Sequence, residues 1–258
     1  MSLLENLGLA IINGSIKTVD LTETLDPDFP VLVLPPEFGQ CQPFRVEEVS
    51  HYDERGPAWY WRNFTCSEHT GTHFDAPIHW VTGRDNPHAS VDEIPVDNFF
   101  RPVFVMDFSA EAAKDADFVL TRAHIEAWES QHAPITPGSW VLFRTDWSKR
   151  APEAYVNLRE DGMHTPGPDA SAINHLIARD IVGFGVETIG TDAGQGAHFD
   201  PPYPAHALLH GANRHGLQCL CNLDQLPAMG AMLICAPLKI KHGSGSPLRV
   251  LALVQEEA

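Results

Sequence analysis

Residues 67–80 read Ser67-Glu68-His69-Thr70-Gly71-Thr72-His73-Phe74-Asp75-Ala76-Pro77-Ile78-His79-Trp80. Four groups able to ligate a metal or carry a proton, His69, His73, Asp75 and His79, fall within these eleven positions, 69–79. Gly71 and Pro77 both work against a regular helix. In an extended chain alternate side chains share a face, so His73 and Asp75 point the same way. A turn at Thr70-Gly71 would bring His69 beside them. Imidazole with carboxylate is a donor set for Zn2+, Mn2+ or Fe2+, and three protein ligands leave positions free for water. A lone histidine is most simply a hydrogen-bonded structural residue, but four such groups this close read as a site. The spacing alone leaves both a metal site and a metal-free acid–base site open.

Outward from this stretch, strand patterns cover 16–22, 44–49, 102–108, 139–145, 181–186, 217–223, 232–236 and 248–254. Helical patterns cover 122–132 behind a Thr121 cap, 169–179, and 205–215 ahead of Gly216. Strands outnumber helices and do not alternate with them regularly. That predicts an α+β fold with mixed sheets rather than a doubly wound parallel sheet. The 21 prolines and 19 glycines are dispersed, with no linker, so residues 1–258 are expected to form a single domain.

Composition narrows the function. With 43% apolar and 20% charged residues, the chain can bury a sizeable core and is not of the disordered class. A net charge of −17 argues against nucleic acid or an anionic membrane as partner. No apolar run approaches the ~18 residues of a membrane span. The first residues lack the basic and apolar regions of a signal peptide. Five cysteines, an odd number, do not suggest a disulfide framework, so the cytoplasm is the expected location.

His69-Thr70-Gly71-Thr72-His73-Phe74-Asp75-Ala76-Pro77-Ile78-His79 resembles the His-x-Gly-Thr-His-x-Asp-x-Pro-x-His signature of the cyclase-like metal-dependent hydrolases. That family includes isatin hydrolases and bacterial kynurenine formamidases. Arg144-Thr145-Asp146-Trp147, Gly185-Val186-Glu187-Thr188 with Asp192, Pro204-Ala205-His206-Ala207-Leu208-Leu209, Ala236-Pro237-Leu238-Lys239-Ile240 and Gly243-Ser244-Gly245-Ser246-Pro247 resemble later family segments. The likeness runs from about Asp20 to Val254. It implies a swivelling β/β/α-type fold, usually assembled as homodimers or larger homo-oligomers. It also implies His69, His73 and Asp75 as ligands of one divalent metal, Mn2+ favoured over Zn2+, and His79 as the general acid–base. His206 matches a histidine that binds a second metal in the two-zinc formamidases.

One departure limits that second site. The two-metal members carry a glutamate where this chain has Cys221, before Asn222-Leu223. The thiol could ligate zinc, with Cys219 on the same strand face, or simply pack. The loss favours a single-metal enzyme. His206 and His210, at i and i+4, could bind metal or, with His215, line a proton path. Trp59, Tyr60, Trp61, Phe64 and Trp80 offer either an aromatic slot for a flat substrate, with Trp59, Trp61 and Trp80 as binding residues, or ordinary core. Glu187 and Asp192 follow an apolar strand and either serve the site or cap a turn.

The expected reaction is hydrolysis of an aromatic cyclic amide, isatin first. A metal-bound water of lowered pKa would attack the lactam carbonyl, Thr72 would help hold the oxyanion, and His79 would protonate the leaving nitrogen. An arylformamidase acting on N-formylkynurenine is the alternative, and a non-catalytic small-molecule binding protein is an alternative of another class.

Overall fold

Val103–Met106, Trp140–Phe143 and Gly183–Val186 are unbroken buried runs, as parallel strands covered on both faces require. They are the middle of a nine-stranded mixed sheet in the computed structural model, which describes residues 1–80 and 86–255. The main strands are β1 (Ile16–Asp20), β2 (Arg45–Asp53), β3 (Gly56–Thr65), β4 (His73–Asp75), β5 (Phe100–Asp107), β6 (Trp140–Arg144), β7 (Gly183–Val186), β8 (His215–Gln218), β9 (Ala231–Ile234), β10 (Gly245–Pro247) and β11 (Leu251–Gln255). The sheet order is β1-β11-β9-β5-β6-β7-β8-β4-β10. Strands β5 to β8 run parallel, and every other pairing in this sheet is antiparallel. This is the mixed α/β architecture expected from the unequal mix of strands and helices.

Alternation along the central strands makes two cores. Phe104, Met106, Val141, Phe143, Phe184 and Val186 face one side and pack with Ile125, Trp128, Ile173 and Leu176 of the helices Arg122–Gln131 and Ala170–Ala178. Val103, Val105, Trp140 and Leu142 face the other side, with Phe74, Leu217, Leu233 and Ala252.

The structure departs from the sequence reading at four places. The strand expected over 217–223 stops at Gln218, because Cys219 (φ 52°) and Asn222 (φ 59°) take the left-handed conformation. Cys219 and Cys221 therefore do not share a strand face. The helix expected over 205–215 is present but shorter, with a π-helix over Ala205–Leu209, and His215 already opens β8. Residues Gly56–Thr65, not read as a strand, pair with β2 in a separate hairpin. The terminal helix Leu3–Ile12 was also missed, although Ser2 and Glu5 form a reciprocal capping box that signals it. Among the described residues no helix is long and apolar enough to cross a membrane.

Candidate metal centre

Strand β4 is only three residues long, but it is flanked by β8 on one side and β10 on the other. Phe74 is fully buried in the core, edge-on to Phe99 and Trp140. That anchor sets the register. A slip of one residue would drive His73 and Asp75 into the apolar core and expel Phe74. With Phe74 seated, His73 and Asp75 project together from the opposite face. Pro77–His79 then forms a single 3-10 turn, with Pro77 at its start, and carries His79 back over them.

The four motif side chains converge. His69 Nδ1 lies 2.7 Å from Asp75 Oδ1, and His73 Nε2 lies 3.4 Å from the same oxygen. The His79 ring sits 3.9 Å, centroid to centroid, from that of His69. Ligand atoms of His69, Asp75 and His79 all lie within 4.8 Å of one another, as do those of Asp75, His206 and His210. Gln218 Nε2 donates to Asp75 Oδ2. His73 Nδ1 donates to the Gly71 carbonyl at 2.7 Å, which leaves its Nε2 lone pair directed at Asp75. A histidine held this way through one nitrogen, with the other bare, is oriented as metal ligands are.

Electrostatics fit a cation. Burial works against the Asp75 carboxylate, yet the neighbouring imidazoles of His79, His73 and His69 outweigh it and hold its pKa well below the ordinary range. Burial lowers the pKa of His73, and that of His79 to about 3, so both rings are neutral with lone pairs free. A buried anion with two such neutral imidazoles beside it asks for a positive charge.

His206 behaves differently. Burial pulls its pKa down, but the Asp192 hydrogen bond and charge outweigh that and raise it. Asp192, left between a site role and a capping role by the sequence, does both. Oδ1 accepts the Ala205 backbone N–H at 2.6 Å, and Oδ2 accepts from His206. His206 Nε2 faces Asp75 Oδ2 at 3.9 Å. His210, lowered to about 4 by burial, lies behind it with ring centroids 5.7 Å apart. Glu187 is not at the site. It is buried and accepts from Thr145 N–H and Ser148, tying the ends of β6 and β7 together.

A cavity of about 110 Å³ opens over this cluster. Its floor is His69, His73, His79, His206 and Gln218, and its wall is Pro30, Val31, Leu32 and Ile189. The apolar wall is therefore aliphatic. Trp80 packs against His206 and Tyr203 at 5.0 and 5.8 Å between ring centroids. Trp59 and Trp61 instead lie exposed on the β2–β3 hairpin, outside the cavity lining. Pairing of β3 with β2 puts them on a hairpin separate from the main sheet, which spacing alone does not reveal.

The expectation for Thr72 is corrected, and of the two readings of Cys221 the packing one fits. Thr72 does not offer its hydroxyl to an oxyanion, because it donates to the Cys219 carbonyl and accepts the Glu23 N–H at 2.9 Å. Cys221 is buried away from the cavity, accepts from Asn222, and has its thiol pKa pushed up to about 12 by burial, so it packs as a small apolar residue. Sequence reasoning missed Gln218, Glu68 and Ser244. Gln218 could have been found only from its place two residues after Gly216, on a strand beside the motif.

A family model described as putative cyclase matches residues 19–193. An isatin hydrolase of Roseibium aggregatum is 49% identical over 256 residues, covering 98% of this chain and 97% of its own. Among solved structures, an isatin hydrolase A from Labrenzia aggregata bound to benzyl benzoate superposes with a TM-score of 0.98, at 63% identity over 99% of this chain and 100% of that one. An isatin hydrolase bound to the product analogue thioisatinate gives 0.97, at 48% identity over 99% and 100%. A kynurenine formamidase of Salinibacter ruber is more distant, 29% identical over 72% of this chain and 76% of its own. The chain belongs to the cyclase family.

Proposed function

We propose that this chain is a metal-dependent hydrolase that opens the lactam of isatin to the ring-opened keto acid isatinate. The observation that carries this reading is the end-to-end likeness to isatin hydrolases, one of them holding a product analogue, together with the His and Asp cluster at the base of a small apolar cavity. N-formylkynurenine is the alternative substrate, and the lower identity to a formamidase gives it less support.

His69, His73 and Asp75 would hold one divalent cation, Mn2+ first and Zn2+ second, since imidazole–carboxylate sets accept both. Bound there, the cation would supply Lewis acidity and lower the pKa of water. The chain does the rest. Asp75 stays ionised under Gln218, and Gly71 holds the tautomer of His73. Neutral His79 takes the proton from the attacking water and delivers it to the aromatic nitrogen as the C–N bond breaks. Its low pKa keeps the ring unprotonated before attack and makes it a strong acid once it carries the proton, and its reach over the cluster suits the transfer. The Asp192–His206 pair and His210, on the other side of Asp75, would serve proton exchange with solvent. With Asp75 they are also a second ligand-capable set. Pro30, Val31, Leu32 and Ile189 would flank the flat ring.

The exposed hairpin aromatics Tyr52, Trp59, Tyr60, Trp61 and Phe64 offer apolar area on the two faces of the hairpin that self-association into a homodimer or larger oligomer would cover. All five cysteines are free, which suits the reducing cytoplasm. The test is to strip the metal, restore Mn2+ or Zn2+, and measure turnover of isatin and N-formylkynurenine side by side. Faster ring opening supports the proposal, and cleavage of the formamide alone moves the chain to the alternative. Metal binding with neither reaction would make it a binding protein.

A further inference from the structure

His69 Nε2 lies 2.8 Å from Ser244 Oγ. Ser244 in turn donates its hydroxyl to Glu68 Oε2 at 2.7 Å, and its backbone N–H reaches the same oxygen at 3.0 Å. The hydroxyl proton is thereby committed to the carboxylate. The serine oxygen has only lone pairs left for His69, so His69 Nε2 must carry the proton that joins them. In the neutral ring that a metal ligand requires, Nδ1 then carries the lone pair, and Nδ1 is the nitrogen facing Asp75 Oδ1 at 2.7 Å.

The backbone around Ser244 is shaped for this chain of contacts. A Cβ on Gly245 would stand 2.5 Å from His69 Cε1 and 2.6 Å from the Phe74 carbonyl, and one on Gly243 would stand 3.0 Å from Glu68 Oε1 and 2.8 Å from a Val91 methyl. The flanking glycines let Ser244 approach both partners. Its carbonyl accepts the Ala76 N–H at 2.9 Å, and the next residue enters β10 beside β4. The serine is thus pinned to the strand that carries Asp75.

The geometry points to Glu68 and Ser244 as positioning residues that act through His69: the Glu68–Ser244 relay selects the Nε2–H tautomer of His69 and aims its Nδ1 lone pair at the cation. This rests on the metal-site reading given above. Outer partners of metal-bound histidines typically govern affinity by 10–100-fold. Glu68 and Ser244 stand 176 residues apart in the chain and meet only on folding.

The test is the Mn2+ affinity of purified variants, read by chelator competition, alongside melting of the metal-free proteins. Ser244→Ala should bind Mn2+ about 10–100-fold more weakly while its metal-free melting temperature stays close to that of the parent. Glu68→Gln should weaken binding in the same direction. The double variant should be no worse than the weaker-binding single one, because both residues work through one histidine. Ser244→Thr, which keeps the hydroxyl, should restore affinity relative to alanine. Long-range 1H–15N spectra of the Zn2+-loaded protein should show His69 protonated at Nε2. Parental affinity in Ser244→Ala and Glu68→Gln, with affinity lost in His69→Ala, would overturn the relay and leave the metal site standing. Parental affinity in His69→Ala would overturn the metal site itself.

Discussion

His206 Nδ1 stands 2.5 Å from Asp192 Oδ2, and the other oxygen of that carboxylate caps the backbone N–H of Ala205. One aspartate thus orients the imidazole and holds the start of the turn that carries it. The His206 pKa is raised: burial opposes the proton, and the Asp192 contact prevails. A raised pKa contributes stability that is complete below the unfolded value of ~6.5 and is lost as pH rises through the folded value. Asp192→Asn should therefore cost more stability at pH 6 than at pH 9, about 1.5–3 kcal/mol at the lower pH for a hydrogen bond to a charged group. Urea unfolding of the metal-free protein at both pH values checks this, and an equal loss at the two would refute it.

His215 has the opposite sign. Burial beside Phe74, at 5.2 Å between ring centroids, pushes its pKa down to about 3, and Nδ1 has no partner. A lowered histidine pKa contributes stability that is complete above ~6.5 and drains away as pH falls toward the folded value. His215→Gln keeps an acceptor for Asn98, which contacts Nε2 at 3.2 Å. It should flatten the acid limb of the stability curve by up to about 1.4 kcal/mol per pH unit between pH 6.5 and about 4. A variant whose acid limb runs parallel to that of the parent would contradict this.

His79→Gln should retain the metal and slow isatin turnover by ~10²–10⁴-fold, the range for a positioned acid–base group. The loss should be smaller for an activated ester, whose leaving group needs no proton. Loss of metal in step with activity would make His79 a ligand, which its place in the same 4.8 Å cluster allows.

Thr72→Val removes a hydroxyl that bridges the Cys219 carbonyl and the Glu23 N–H. We expect a stability loss of about 1–3 kcal/mol from the stranded backbone groups and near-normal kcat at a temperature where the variant is folded. A 10²–10³-fold fall in kcat, the mark of a lost oxyanion donor, would restore the catalytic role expected from sequence.

Metal addition should stabilise the chain by about 2.7 kcal/mol at a free concentration 100 times Kd. Asp75→Asn should erase most of that gain, because the anion shared by His69, His73 and Gln218 is gone. An unchanged metal-induced shift in melting temperature would show that the cation binds elsewhere.

The ligand cluster was legible in the linear chain because His69, His73, Asp75 and His79 are close in sequence, and local geometry settles what four neighbouring side chains can do together. The buried runs of the central strands were legible for the same reason, since a strand covered on both faces is apolar at every position. Partners that arrive from far away were not. Gln218, Ser244 and the aliphatic wall 30–32 reach the site through strand order and loop path, and no local pattern encodes them. Trp59 and Trp61 show the converse. Aromatic residues a few positions before the motif look like pocket lining, yet the β2–β3 pairing carries them away from the cavity. Cys219 and Cys221 likewise suggest a shared strand face until two left-handed residues end the strand. What residues near each other in sequence can do was written in the order of the side chains. Which distant residues complete, occupy or leave the site was decided by tertiary packing, because hydrogen-bond partners and steric fit act through space and not along the chain.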